Sequence, residues 1–260
     1  MAIGYDVLGN IAIIKFDRDM KQPAKKKFAL DYLRNNKGVT TVLEKSGKIK
    51  GRLRTPTNKW LAGVKTLEAL YRENGCEFRL NVDTCYFSPR LSSERKDVAE
   101  MVKKNEEVLV MFGGVAPFAI AIAKLSKPKR VVSVELGKEC SKYALINVKR
   151  NKLAGRVEIV QGDVRRVIGK SKKIDSLFDR VVMARPNLED SFLDVGFKAV
   201  RRGGLLHYYG FYSEEEVGNM KKLIEREAAK AGRKIKILLI KKAGDIGPYR
   251  WRYRADIKMQ

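Results

Sequence analysis

Apolar positions recur along this chain in two rhythms, and each marks a kind of element. Tyr5–Leu8 and Ile11–Phe16 are strand-like runs flanking Gly9-Asn10, the pattern of a hairpin. Between Pro23 and Arg34 the apolar spacing lengthens to that of a helix. Val39–Leu43 and Ile49–Leu53 predict further strands, Thr66–Arg72 a short helix, and Cys76–Val82 an alternating strand. Residues 1–86 therefore read as a small α+β domain. A helix is predicted from about Ser92 to Lys104, and after it the rhythm changes. Apolar strands at Val108–Phe112, Arg130–Glu135, Val157–Gln161, Phe178–Ala184 and Gly204–Phe211 alternate with helices near 116–125, 138–152, 188–201 and 213–231. Such alternation predicts, for residues 87–260, an α/β domain with a parallel sheet covered on both faces. Lys236–Ile240 and Trp251–Ile257, joined through a loop holding Gly244, Gly247 and Pro248, predict a terminal antiparallel pair.

Charge narrows the partners. The 260 residues hold 55 basic and 30 acidic side chains, a net charge of +25, far more than solubility requires. Through Tyr86 there are 17 basic and 9 acidic residues, so the excess is spread along the chain rather than held in a tail. A Lys- and Glu-rich surface of the high-temperature kind explains the charged fraction but not the imbalance in sign. A polyanion fits it, and RNA before anionic lipid. Cys76, Cys85 and Cys140 form no CxxC pair and accompany a single histidine, His207, which leaves no disulfide framework and no metal cluster to build. That cysteine usage predicts a reducing, cytoplasmic setting. The longest uncharged stretch, Val108–Ala123, is too short for a bilayer and is broken by Gly113, Gly114 and Pro117. Asp6, Asp17 and Asp19 do not suit a signal peptide.

Candidate chemistry begins where the first strand of the parallel sheet turns into its helix, in Val110-Met-Phe-Gly-Gly-Val-Ala-Pro-Phe118. Glycines there let backbone approach a nucleotide-like ligand at a helix N-terminus, and they equally serve tight packing. Glu135 ends the second strand and Asp163 follows the third. An acid after strand two suits ribose hydroxyls, and one after strand three can face the exocyclic amine of an adenine. Each acid alone also fits a helix cap or a surface position. Together, without a GxGxxG, they point to S-adenosylmethionine rather than a dinucleotide.

Further motifs bear a resemblance. These are Gly51-Arg-Leu-Arg-Thr55 with Leu61-Ala-Gly63, Glu73-Asn-Gly-Cys-Glu-Phe78, Tyr86-Phe-Ser-Pro-Arg-Leu-Ser-Ser-Glu-Arg95, the Met-Phe-Gly-Gly-Val loop, and Gly203-Gly-Leu-Leu-His-Tyr-Tyr209. Over nearly its whole length the chain resembles the archaeal and eukaryotic-type tRNA (guanine-N1)-methyltransferases, which modify the guanosine immediately 3′ of the anticodon. It looks like a member that starts at the second domain of the usual arrangement. The resemblance implies a Rossmann-like class I methyltransferase domain that uses S-adenosylmethionine on tRNA; the chain is further expected to need no metal and to act as a monomer. It implies that Glu94 is the general base for the N1 proton and that Arg54 binds the guanine carbonyl. It gives a cofactor set of Tyr86, Arg95, Phe112, Gly114, Val115, Pro117, Glu135, Leu136, Asp163, Val164 and Ala184. From the residues alone, Glu94 also fits a first-turn helix carboxylate, Arg54 a phosphate contact, and Tyr86 a core position.

This sequence departs from the family pattern at three places. Val110 stands where the family has Asp, Ala116 where it has Gly, and Ala184 where it has the catalytic Asn, with Asn187 nearby. Two other functions stay open on this basis. One is the related wybutosine-pathway aminocarboxypropyl transfer from the same cofactor, and the other an RNA-binding protein with weakened catalysis. Near the end, Tyr249-Arg-Trp-Arg-Tyr-Arg254 would place Arg250, Arg252 and Arg254 on one strand face, suited to RNA phosphates, or merely solvated opposite a buried Trp251 and Tyr253. His207, in mid-strand, reads as a core histidine without a catalytic role.

Overall fold

The protein is described by a computed structural model covering residues 4–17, 19–47, 57–168, 174, 177–185, 189–247 and 249–260. Its contacts divide the chain into two compact units, Met1–Pro89 and Arg90–Gln260. The predicted strand Ile49–Leu53, Arg54 and Asn187 lie outside the described residues.

In the first unit, β1 (Gly4–Leu8) and β2 (Ile11–Lys15) form the expected hairpin around Gly9-Asn10. Helix α1 (Gln22–Asn35) then crosses to β3 (Thr41–Lys45), which runs parallel to β2 and antiparallel to β4 (Asn58–Gly63). Ala12, Ile14, Ala29, Val42 and Leu61 fill the space between helix and sheet. The helix expected at Thr66–Arg72 is instead a strand. Here β5 (Glu68–Glu73) pairs antiparallel with β6 (Cys76–Asn81). The reason lies in the two residues between them: Asn74 and Gly75 adopt φ of 49° and 69°, the left-handed pair of a two-residue hairpin turn.

The second unit opens with α2 (Ser92–Glu100) and continues as β7 (Glu107–Met111), α3 (Pro117–Leu125), β8 (Arg130–Glu135), α4 (Lys138–Arg150), β9 (Val157–Gln161) and α5 (Val164–Val167). It ends with β10 (Phe178–Met183), α6 (Leu193–Ala199), β11 (Val200–Tyr212), α7 (Val217–Lys230), β12 (Ile235–Gly247) and β13 (Arg250–Met259). Seven strands form one sheet in the order β12-β13-β11-β10-β7-β8-β9, and β13 alone runs against the others. Strand β12 is longer than predicted. Gly244, at φ 139°, belongs to an irregularity in its pairing with β13 rather than to the connecting loop. The direction of winding reverses at β7, so the crevice at the carboxyl ends of β7 and β10 is the topological switch point, where open α/β sheets take ligands.

Strand β13 sits inside the sheet, and both of its faces are covered. Tyr253, Ala255 and Ile257 join the main apolar core, while Arg252, Arg254 and Asp256 are buried on the other side.

Candidate active site

The loop after β7 is shaped by sterics. Phe112, Gly114 and Ala116 take φ of 60°, 55° and 66°, three left-handed residues within five. For Ala116 that conformation costs about 1 kcal/mol, so the bend persists although a methyl group replaces the family's glycine hydrogen. A Cβ on Gly113 would lie 2.1 Å from Ser133 Oγ, so with serine at position 133 glycine is what lets the loop lie against β8. The loop ends at Pro117, the first residue of α3, where a missing amide hydrogen costs nothing. Val110, at the former Asp position, is a fully buried strand residue between Ser133 and Val182.

Glu135 secures this bend from the neighbouring strand. Its Oε2 accepts from the Gly114 amide at 2.7 Å and its Oε1 from the Gly137 amide at 2.6 Å. Burial pushes its carboxyl above the usual carboxylate range, against the pull of those amides. The Leu136 amide also bonds this carboxylate, and three amide donors leave acceptor capacity on it for a hydroxyl group. Asp163 caps α5, accepting from the Arg165 amide at 2.9 Å. Phe112, Leu136 and Ala184 are half-buried at the same carboxyl edge, and Val115 and Val164 are buried beneath it. Around Phe112 gather side chains absent from the sequence expectation: Phe192, Arg165, Asp190, Asp194 and Arg185. Phe112 packs edge-on against Phe192 at 5.1 Å, and the Arg165 guanidinium lies over Phe192 at 4.7 Å while bonding Asp190 and Asp194 at 2.7 Å each. Arg185, next to Ala184, is buried, lies over the Tyr208 ring and donates to the Asp190 carbonyl at 2.7 Å. A left-handed glycine turn at a helix N-terminus, with a carboxylate after each of the next two strands, fits a nucleoside-bearing cofactor such as S-adenosylmethionine.

Glu94 lies in the first turn of α2 and is only 5% exposed. Its Oε1 accepts from the Tyr209 hydroxyl at 2.6 Å and from Arg254 at 2.5 Å, while its Oε2 lies 3.9 Å from Lys241 Nζ. Arg254 in turn meets Asp256 at 2.9 Å. Burial would weaken the Arg254 charge, but Glu94 and Asp256 outweigh it and hold its pKa above the ordinary guanidinium value. The expected arginine face therefore needs correction. Arg254 is 2% exposed and Arg252 9%, the latter over the Phe211 ring, and only Arg250 reaches solvent, beside a Tyr249 that is 83% exposed. An RNA phosphate has no access to a buried, ion-paired guanidinium. No sequence signal pairs Glu94 with Tyr209 or Arg254, which lie 115 and 160 residues away. Arg95, beside Glu94, is buried, and Tyr86, in the first unit, is exposed.

Among the described residues no cluster of His, Cys, Asp or Glu is arranged to hold a metal, and no described helix is long and apolar enough to cross a membrane.

The strand order, with its single reversed strand, and the glycine turn with its two acids define the class I S-adenosylmethionine-dependent methyltransferase fold. Within it, the chain belongs to the TRM5/TYW2 methyltransferase-domain family, whose pattern matches residues 69–238, and residues 2–66 match the TYW2 N-terminal domain. It is 33% identical to the tRNA (guanine(37)-N(1))-methyltransferase Trm5b of Pyrococcus abyssi, over 98% of this chain and 74% of that protein. It is 31% identical to the tRNA(Phe) (4-demethylwyosine(37)-C(7)) aminocarboxypropyltransferase of Methanocaldococcus jannaschii, over 100% of this chain and 99% of that protein. The crystal structure of M. jannaschii TYW2 in complex with AdoMet superposes with a TM-score of 0.75 at 26% identity, covering 99% of both chains.

Proposed function

We propose that this protein is a tRNA methyltransferase that transfers the methyl group of S-adenosylmethionine to N1 of the guanosine 3′ of the anticodon. The observation that carries the reading is a carboxylate, Glu94, anchored through one oxygen at the family's base position, in a chain 33% identical to a methyltransferase named for this reaction. Gly114, Glu135 and Asp163 hold the cofactor, with Phe112, Val115, Pro117, Leu136, Val164 and Ala184 around it. When bound, the cofactor supplies an electrophilic methyl group on a sulfonium. Guanine N1 carries a proton and is a poor nucleophile until that proton leaves. Glu94 takes it, and the charge that develops on the guanine carbonyl oxygen falls to Arg54. The family resemblance assigns Tyr86 and Arg95 to the cofactor set as well. The surface excess of Lys and Arg, with Arg250 and Tyr249 at its exposed strand end, attracts the tRNA.

Aminocarboxypropyl transfer is the second reading. The match of residues 2–66 to the TYW2 N-terminal domain favours it, as does Ala184 in place of the catalytic Asn. Incubating the protein with S-adenosylmethionine and tRNA, then identifying the product nucleoside by mass spectrometry, decides between them. N1-methylguanosine supports the first reading, and a nucleoside bearing the aminocarboxypropyl group replaces it with the second.

A further inference from the structure

Behind Glu94 runs a buried chain of charged and polar groups. From Glu94 Oε1 it passes to Arg254, then to Asp256, whose Oδ1 lies 2.6 Å from His207 Nδ1, and His207 Nε2 lies 2.7 Å from Arg180. Arg180 closes the chain on Glu106 at 2.8 Å and on the Met101 carbonyl at 2.7 Å. Because a guanidinium only donates, the Nε2 facing Arg180 must be the unprotonated nitrogen, and His207 is neutral with its hydrogen on Nδ1 pointing at Asp256. Burial, and the cations Arg180 and Arg254 to either side, hold its pKa below the ordinary histidine value against the pull of Asp256.

Such a chain is an expensive way to fill space. Ion pairs removed from water return little net stability, and apolar residues of similar volume often serve as well or better. Its arrangement at Glu94 suggests a use. Three strands bring a group to that carboxylate: Tyr209 from β11, Arg254 from β13 and Lys241 from β12, the last also bonding Asp97 of α2 at 2.7 Å. The two strong donors both fall on Oε1. Among the described residues, Oε2 meets only Lys241, at 3.9 Å.

We propose that Arg254, held by Asp256 and the neutral His207 behind it, is a positioning residue for Glu94, anchoring Oε1 so that Oε2 is the oxygen that takes the proton. The proposal rests on Glu94 being the base, as argued above. Arg254 touches neither substrate nor cofactor in this scheme. Its whole effect passes through Glu94.

The test is a double-mutant cycle read by single-turnover methyl transfer at saturating tRNA and cofactor, alongside the dissociation constants of both. Glu94→Gln alone lowers the rate by about a hundredfold or more. Arg254→Gln lowers it by about tenfold or more with both dissociation constants unchanged within about twofold, and Arg254→Lys recovers part of the loss. In the Glu94→Gln background, Arg254→Gln removes no more than about twofold further. A full, additive loss in that background overturns the proposal while leaving Glu94 as base. A weakened tRNA affinity with the rate kept overturns it in favour of an RNA or structural role. A parent rate in Glu94→Gln overturns both readings. Should Arg254→Gln fail to fold, the only histidine in the chain gives a second measurement. Nitrogen-15 NMR of the parent shows a neutral imidazole with the proton on Nδ1, and Glu94→Gln shifts that resonance through Arg254 and Asp256. A charged imidazole at neutral pH, the opposite tautomer, or a resonance indifferent to Glu94→Gln overturns the proposal.

Discussion

Gly113 shows how little freedom the cofactor loop has at the scale of a single residue. Its missing Cβ would fall 2.1 Å from Ser133 Oγ but 3.4 Å from Ser133 Cβ, so the conflict lies with one hydroxyl oxygen. Gly113→Ala is expected to destabilise the fold by about 1–3 kcal/mol, the usual cost of overpacking a tight site. Ser133→Ala in the same chain is expected to restore most of that loss. Thermal melting of the two variants and the parent checks it, and an unrepaired double variant would place the clash elsewhere. The same loop tolerates alanine at position 116, where the side chain meets backbone strain but no such collision. Glu94 gives the functional counterpart. Glu94→Gln keeps the shape and hydrogen-bonding oxygen but removes the base, so turnover is expected to drop by about a hundredfold with tRNA binding retained. Turnover and a binding isotherm measured side by side test that separation.

At the scale of elements, the charged face of β13 and its continuation through Arg180 on β10 hold α2 and the sheet in one arrangement. Arg180 is 1% exposed and bonds Glu106 and the Met101 carbonyl just beyond α2. Arg180→Met leaves Glu106 facing a gap and His207 Nε2 without its donor. Breaking one side of a buried pair in this way is expected to cost about 3–5 kcal/mol, read as a lower denaturation midpoint. Combining it with Glu106→Gln removes the orphaned charge and is expected to recover part of the loss. A single variant as stable as the parent would mean that the pair does not fasten these elements.

Across the whole molecule, charge and proton uptake govern the response to solution conditions. A chain at +25 neutralises several phosphates on binding tRNA, so its affinity is expected to fall steeply as salt rises, linearly on logarithmic axes. Arg250→Ala is expected to flatten that slope modestly, because Arg250 is the exposed arginine of β13, whereas Arg252 and Arg254 are buried within the fold. A slope unaffected by Arg250→Ala would place the phosphate contacts on other basic residues. Stability has its own pH signature. The unfolded chain takes up a proton on histidine near pH 6.5, and the folded chain resists it because His207 is buried between Arg180 and Arg254. Stability is therefore expected to fall as pH falls through and below about 6.5. His207→Gln, which offers both a donor and an acceptor without a titrating nitrogen, is expected to remove that part of the decline. Denaturant midpoints between about pH 5 and 7 measure it.

Local rules determined much of this protein. The alternation of strands and helices from Val108 onward, the glycine bend at Gly113-Gly114 and the acids at Glu135 and Asp163 are legible because each depends on neighbours within a few residues: a period, a turn geometry, a strand end. The Asn74-Gly75 hairpin was equally legible, yet apolar spacing across Thr66–Arg72 imitates a helix when the turn is not weighed first. What the sequence could not decide is which face of β13 meets water. An alternating strand with arginines on one side predicts an exposed basic stripe only at a sheet's surface, and β13 is inserted between β11 and β12 with α2 contributing Glu94 to that side. Burial reverses the meaning of Arg254, because a guanidinium taken out of water must find carboxylates, and Glu94 and Asp256 supply them. The partners of Glu94 come from 115 and 160 residues away, and only the closing of the sheet brings them to it.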